Sequence, residues 1–346
     1  MGQVHFLGLE INARSVTAVL LGRDRSVIAA GTQPIAPDNE DDDGCLAEPR
    51  KWVRLVADAV RELVDSSGIP TSKIWGVAPA APPGWVALDA DWSPLTELRL
   101  ANERGRERIP AELTGFLDAH PRNRSRLALI LPPKDFLRFA LSQIIATDAG
   151  DAACLGLLRP GTSDWDGERL AALDIDPRWL PPILPAAFAC GRIGPRGMEA
   201  MGLADTAWST VGSTLVPALM LGCGYLDTPA VHLFARQPAR AYWYGTPRPD
   251  AEAQPGFAPP THILGADRER LPADVFTNDT PVILDWREGE DPAALIEWAR
   301  TTGRPVYAAP YAGKASPGPA IMAALASRAF TDREAFFRRF AAPTPI

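Results

Sequence analysis

Long apolar runs are missing from this 346-residue chain: no stretch of about 18 consecutive apolar residues occurs, so no helix is expected to cross a membrane. The N-terminus has no basic stretch followed by an apolar one and a small-residue cleavage site. A secretory leader is therefore not expected, and the protein reads as soluble and cytoplasmic. Cysteine is scarce: Cys45, Cys154, Cys190 and Cys223 are far apart, with no Cys-x-x-Cys pair and no histidine at metal spacing. They are expected to be isolated thiols in a reducing compartment, and no metal site is expected. The four histidines, His5, His120, His232 and His262, are also isolated, and none forms a recognisable Ser-His-Asp or metal arrangement. A basic surplus is absent as well, with 35 Lys and Arg against 42 Asp and Glu and a formal charge of −7. Nucleic acid and anionic membrane are thus not expected as partners.

What is present is globular in character. The chain is 46% hydrophobic and 22% charged, a composition that supports ordinary packed cores, and its length suits two domains. The 35 prolines are scattered through loops and form no P-x-x-P tract, which points to stiff connections. Residues 6–21 are two apolar runs joined by the polar turn Asn12, Ala13, Arg14 and Ser15, a hairpin with Glu10 near its tip. A buried carboxylate needs a partner. Glu10 is therefore either a ligand or metal carboxylate or a strand-end acid paired with a nearby arginine such as Arg14.

A third short strand is predicted over 26–32, followed by a solvated acidic loop at 38–43. A helix is predicted from Glu48, Pro49 and Trp52 to about Gly68, its apolar residues recurring at helical spacing. Residues 74–78 read as a buried strand, 79–84 as a proline-rich turn and 85–89 as an antiparallel return. Residues 102–126 are polar and helix-compatible; 127–131 are apolar; helices are predicted to begin at Pro133 and to cover 148–158 and 166–173. A glycine-closed helix is predicted over 211–224 and strands over 230–235 and 239–244, with a linker near 246–260. The remainder alternates strand (282–285), helix (292–302), strand (306–309) and helix (319–329), an α/β order.

Taken in order, these stretches resemble the FGGY carbohydrate kinases, in particular their xylulokinase-like branch. The resemblance is strongest over 133–203, where Pro133 to Phe139, Thr147 to Ala152, Trp165, Leu180 with Pro181 and Pro182, Gly191, Gly202 and Leu203 follow the family's order. The opening hairpin, Glu48 to Trp52, Gly76 to Ala78, Gly303 to Val306 and Gly318 to Leu325 also fit. The resemblance implies an actin-like, ribonuclease H-like α/β fold. Two domains would flank a cleft: residues 1–205 on the sugar side, and a reduced second domain, 206–346, on the nucleotide side. The short interval between the second and third family loops implies a truncated and degenerate relative.

The family's chemistry fits less well. Phosphoryl transfer to a sugar hydroxyl needs a proton acceptor, a metal and donors to the phosphates. The family's base, an aspartate nine residues before the second glycine of a Gly-x-Gly, falls on Leu215. No acid lies between Asp205 and Asp227, though either of these two could reach the cleft from outside the family position. The Asp-x-Gly-Thr phosphate turn is Glu10, Ile11, Asn12 and Ala13, which keeps the acid and loses the glycine. The second and third phosphate loops fall on 235–238 and 285–289, where Pro238 removes an amide donor and Trp286 brings a bulky ring. The Met-His-Gly sugar loop becomes Pro82, Pro83 and Gly84, and Asn102 and Glu103 echo the Trp-Asn-Asp motif.

Arg14, Arg236 and Arg287 fall one at each former phosphate loop, a pattern suited to holding an anion. The candidate ligand residues are therefore Glu10, Arg14, Asn102, Glu103, Arg236 and Arg287. The expectation is a pseudokinase that binds a small polar or anionic ligand or a protein partner, with a homodimer as one arrangement and no cofactor. The alternatives are an active xylulokinase-like enzyme using ATP and Mg²⁺ on a ketose, and new chemistry in the old cleft.

Overall fold

The opening hairpin forms as its two apolar runs imply. Strands β1 (His5–Ile11) and β2 (Ser15–Gly22) pair antiparallel, from His5 opposite Gly22 to Ile11 opposite Val16, and β1 is buried along its whole length. Residues of both faces are covered, which is why the run is continuously apolar instead of alternating. Next to β2 lies β3 (Val27–Pro34), whose alternation of half-buried and exposed residues marks a sheet edge with one face to solvent. In the computed structural model, the residues described are 3–41, 43–119, 121–223, 230–234, 240–244, 266–267, 281–286, 291–312, 314–327 and 344–346.

Part of the acidic stretch is a strand and not a loop, though exposed as expected: β4 (Asn39–Asp41) pairs with β5 (Gly44–Ala47). Helix α1 (Pro49–Ser67) is capped by the Glu48 carboxylate, which accepts hydrogen bonds from the Arg50 and Lys51 amides, and it ends at Gly68 in the left-handed conformation. Trp52, Val56, Val60, Leu63 and Val64 form its buried face against the hairpin sheet. The chain then enters β6 (Ile74–Ala81), which runs parallel to β1.

After β6 the chain leaves that sheet. Strand β7 (Gly84–Asp89) does not fold back on β6 as predicted; it pairs with β8 (Leu98–Ala101) and later with β9 (Leu127–Leu131). Pro79, Pro82 and Pro83 have no amide to donate to a hairpin ladder. Gly84 permits the change of sheet, because a side chain there would overlap the Arg99 carbonyl. Helices α2 (Glu103–Arg106), α3 (Ile109–Ala119), α4 (Pro121–Arg126), α5 (Pro133–Ser142), α6 (Ala149–Cys154) and α7 (Gly167–Ala172) follow. The chain then returns through β10 (Ala189–Arg192), α8 (Pro195–Met201), β11 (Trp208–Thr210) and β12 (Ser213–Thr214).

The first sheet has the order β10-β11-β6-β1-β2-β3, with β12 also on β6, and the second has the order β4-β5-β8-β7-β9. The sequence division at 205 and 206 falls between β10 and β11, which pair with each other. The helix predicted from Val211 starts later, as α9 (Leu215–Gly222), because Ser213 and Thr214 are taken up as a strand against Ala80 and Ala81.

A third sheet contains β13 (Ala230–Phe234), β14 (Arg240–Tyr244), β15 (Ala266–Asp267), β16 (Val282–Asp285), β17 (Val306–Ala308) and β18 (Thr344–Pro345), in the order β15-β14-β13-β16-β17-β18. It repeats the plan of the first: an antiparallel hairpin with a third strand, and a parallel neighbour on the other side of its first strand. Helix α10 (Ala293–Thr301) connects β16 to β17. The linker predicted near 246–260 lies outside the described residues. Among the described residues, no helix is long and apolar enough to cross a membrane.

Helix α11 (Gly318–Ala326) covers the face of the first sheet opposite α1, joining α9 in a core with Phe6, Leu21, Ala78, Ala80 and Ile283 of β16. The approach is very close. A Cβ on Gly8 would lie 2.2 Å from the Ala320 amide nitrogen, and one on Gly318 would lie 1.7 Å from the Ala218 carbonyl. Here the missing side chain is the packing requirement, since nothing flexible is available to yield. Gly8→Val is expected to destabilise the protein by about 3 kcal/mol or more, read as a lower urea midpoint.

Candidate functional site

The parallel strands bring three positions side by side at their carboxyl ends: Glu10 of β1 is level with Ala80 of β6, and Ala80 is level with Ser213 of β12. In open α/β sheets the carboxyl edge is where ligands bind, since the strands end there and the connecting loops diverge. Glu10 is 2% exposed at this edge, with Thr17 opposite it on β2.

The hairpin turn beside Glu10 is closed on itself. The Asn12 side-chain oxygen accepts hydrogen bonds from the amides of Arg14 at 2.9 Å and Ser15 at 2.8 Å, and the Asn12 amide donates to the Ser15 carbonyl at 2.9 Å. The Asn12 side-chain nitrogen also donates to the Ser15 hydroxyl. Asparagine readily satisfies a turn's own amides in this way. Three donors that would face a ligand at such a turn are thereby used within it.

Arg14 lies at the surface. Its side chain is 71% exposed and pairs with Glu40 at 2.6 Å. Asp41 and Asp43 are likewise matched to arginines from distant segments. Asp41 faces Arg99, which also contacts Glu112, and the buried Asp43 holds Arg108 at 2.6 Å. Glu40, Asp41 and Asp43 are thus ion-pair partners for arginines 26 to 65 residues away in sequence, and Asp38 pairs with Lys51, 13 residues on.

Asn102 precedes α2, and its side-chain oxygen accepts a hydrogen bond from the Gly105 amide at 3.0 Å, while its own amide donates to the Asp43 carbonyl. This is the geometry of a helix start. Glu103 opens α2, but its side chain is outside the described residues, as are Arg236 and Arg287 entirely. The structure therefore brings Glu10 and Arg14 to one hairpin, with Arg14 turned outward, and places Asn102 in a cap.

Leu215 is the first residue of α9, directly after β12, so it occupies the cleft edge that the parallel ladder defines. It is 8% exposed and belongs to the core made with α11. An apolar side chain there offers no lone pair for a proton. Asp205 precedes β11, at the opposite, amino-terminal edge of the sheet, where its carbonyl and that of Thr206 accept hydrogen bonds from Arg192. Asp227 is outside the described residues.

Sequence reasoning missed a cluster just behind this edge. The Lys134 ammonium is completely buried and lies 2.7 Å from Asp135, 2.9 Å from Asp148 and 2.9 Å from Asp151. Arg138, also buried, donates to Asp135 at 2.8 Å, to the Val211 carbonyl at 2.7 Å and to the Ala146 carbonyl. Burial alone would lower the Lys134 pKa, but the three carboxylates outweigh it and hold the group above its ordinary value. Burial raises Asp151 well above the carboxylate range, against the pull of Lys134 and with help from Asp148 and Asp135. The signal was present in the sequence as Lys134, Asp135, Asp148 and Asp151 inside apolar helical segments, where charges need mutual partners.

Residues 109–216 match the N-terminal domain of the FGGY family of carbohydrate kinases. Over these residues the chain is similar to the FGGY carbohydrate kinases. It is 25% identical to the xylulose kinase of Escherichia coli strain K12 over 278 residues, covering 66% of this chain and 57% of that protein. With the Bacillus subtilis and Klebsiella pneumoniae xylulose kinases the match takes in 50% and 48%, so the chain spans about half the length of the curated relatives it matches. In fold it is similar to the gluconate kinase of Lactobacillus acidophilus, with a TM-score of 0.76 at 12% identity, covering 99% of this chain and 93% of that one. The xylulose kinase of the same organism gives a TM-score of 0.75 at 13% identity over 98% and 92%. The architecture is the actin-like, ribonuclease H-like fold of these FGGY proteins.

A nucleotide with its metal, which that fold implies, does not fit the residues at the described part of the edge. The turn amides that a phosphate would use already serve Asn12 and the Ser15 carbonyl. Asn12→Ala is expected to release the Arg14 and Ser15 amides and lower stability by about 1 kcal/mol, measured as a shift in urea midpoint with unchanged slope.

Proposed function

We propose that this FGGY relative is a pseudokinase: it keeps the family's cleft edge for binding a small polar or anionic ligand or a protein partner, without ATP-dependent phosphorylation of a sugar. The observation that carries the reading is Leu215, buried at the start of α9 where the family's aspartate would stand. A sugar hydroxyl attacking a phosphoryl group must lose its proton to a positioned acceptor, a contribution of about 10² to 10⁴ in rate. Leucine supplies none. The closed Asn12 turn supports the same reading from the nucleotide side, because a phosphate there would have to displace three internal hydrogen bonds. Electrostatic stabilisation of the transferring group contributes separately, and commonly more than proton transfer does, so the two losses compound.

On this reading neither ATP nor Mg²⁺ is a cofactor, and the occupant of the cleft is recognised by polar contacts around Glu10, with Arg236 and Arg287 as the further candidates the sequence offers. A coupled assay with xylulose and related ketoses is expected to show no sugar-dependent ADP release; sugar-dependent release would overturn the reading. Calorimetry is expected to show no heat of ATP and Mg²⁺ binding above the dilution control. Leu215→Asp alone is expected to leave turnover undetectable, since it restores a proton acceptor but leaves the turn amides occupied.

A further inference from the structure

The buried cluster on α5 and α6 does not balance in charge. Two cations, Lys134 and Arg138, share one interior with three carboxylates, Asp135, Asp148 and Asp151, and every one of these side chains is at most 4% exposed. The elements packed on α5 also carry Arg99 on β8, which is engaged by Asp41 and Glu112, and Arg196 and Glu199 on α8; other groups near the cluster are neutral or weakly acidic. These are Thr147 beside Ala146, Ser213 and Thr214 on β12, and the Cys190 thiol on β10, whose pKa burial raises and whose sulfur bonds the Ser209 carbonyl. An uncompensated charge in an apolar interior is costly enough that the group takes a proton instead.

The cluster also touches the cleft edge. Arg138 clamps the Val211 carbonyl and the Ala146 carbonyl together, so the start of α6 and the approach to β12 are tied through one guanidinium. Val211 precedes Gly212, whose φ of +82° and close fit against the Pro79 carbonyl leave little room for another seating. Asp148 accepts the Gly150 amide at 2.9 Å, and Gly150 lies against the Thr214 hydroxyl, one residue before Leu215.

We propose that the Lys134 cluster holds a single proton on Asp151, and that this proton keeps residues 211–215 seated at the carboxyl edge of the first sheet. Both carboxylates reach the same ammonium at 2.9 Å, so one proton completes a set of two cations and two anions. Losing it leaves a net negative charge beneath the edge, and the seating relaxes to admit water. The inference does not depend on which ligand occupies the cleft, or on whether ATP binds.

The sign follows from linkage. A carboxyl raised in the folded state binds its proton more tightly there than in the unfolded chain. Stability is therefore greatest at and below the ordinary carboxylate range and declines with rising pH until the folded-state value is passed. The test measures urea unfolding and amide-exchange protection of residues 211–215 between pH 5 and 9. The wild-type chain is compared with Asp151→Asn, with Lys134→Met, and with Asp164→Asn as an exposed control of equal charge change.

The wild type is expected to lose stability as pH rises, with protection at 211–215 falling about tenfold, the equivalent of one pKa unit. Asp151→Asn, permanently neutral, is expected to flatten both profiles and to exceed the wild type in stability at pH 9, whereas Asp164→Asn keeps the wild-type slope. Lys134→Met, which strands Asp148 and Asp151 and leaves Asp135 to Arg138 alone, is expected to be destabilised at every pH or not to fold. A wild-type protection profile that is level from pH 5 to 9 would overturn the proposal. So would an Asp151→Asn protein that keeps the wild-type slope. If Asp151→Asn fails to fold, the wild-type protection profile decides alone.

Discussion

The parallel ladder between β1 and β6 is the constraint on which the rest of the site depends. It sets Glu10 level with Ala80, and through β6 it sets Ser213 level with both, so three segments distant in sequence end at one edge. It also requires a crossover, which α1 supplies on one face, while α11 closes the other face over Gly8. Burial of both faces makes β1 apolar throughout, and it makes the one acid near its end conspicuous.

Charge is handled in two different ways on the two sides of this edge. Outside, the acidic stretch at 38–43 meets Arg14, Arg99 and Arg108. Where both partners are exposed, as with Arg14 and Glu40, such pairs contribute roughly 0 to 1 kcal/mol each and mainly fix how the hairpin and the second sheet face each other. Inside, Lys134, Arg138 and three aspartates are sealed from water, where removing either cation would cost about 3 to 5 kcal/mol. The interior set therefore couples α5, α6 and residues 211–214 far more tightly than the exposed pairs couple their own segments.

Two independent features at this edge support the proposed loss of phosphoryl transfer. The hairpin turn is satisfied by its own asparagine, and the first residue of α9 is a buried leucine. Neither costs the fold anything. Asn12 stabilises the turn it closes, and Leu215 adds apolar area to the α9 and α11 core. On the proposed reading, the two residues that would remove phosphoryl transfer also favour packing, a physical reason for the architecture to persist without that reaction.

Much of this was legible in residue order. The apolar runs of 6–21, the Glu48 cap, the Gly68 stop and the β-α-β order after 282 follow from periodicity and local backbone chemistry, which act over a few residues. The sequence by itself also determined that Leu215 cannot accept a proton, since that is a property of the side chain alone. Other features were decided only in three dimensions. The departure of β7 to a second sheet, the strand character of 208–214, the outward turn of Arg14 toward Glu40 and the cap formed by Asn102 all depend on partners far away in the chain. The convergence of Lys134, Asp135, Asp148 and Asp151 is the sharpest case. Each is a routine polar residue in its own segment, and only burial at one point, where water can no longer screen them, turns four such residues into a coupled electrostatic unit.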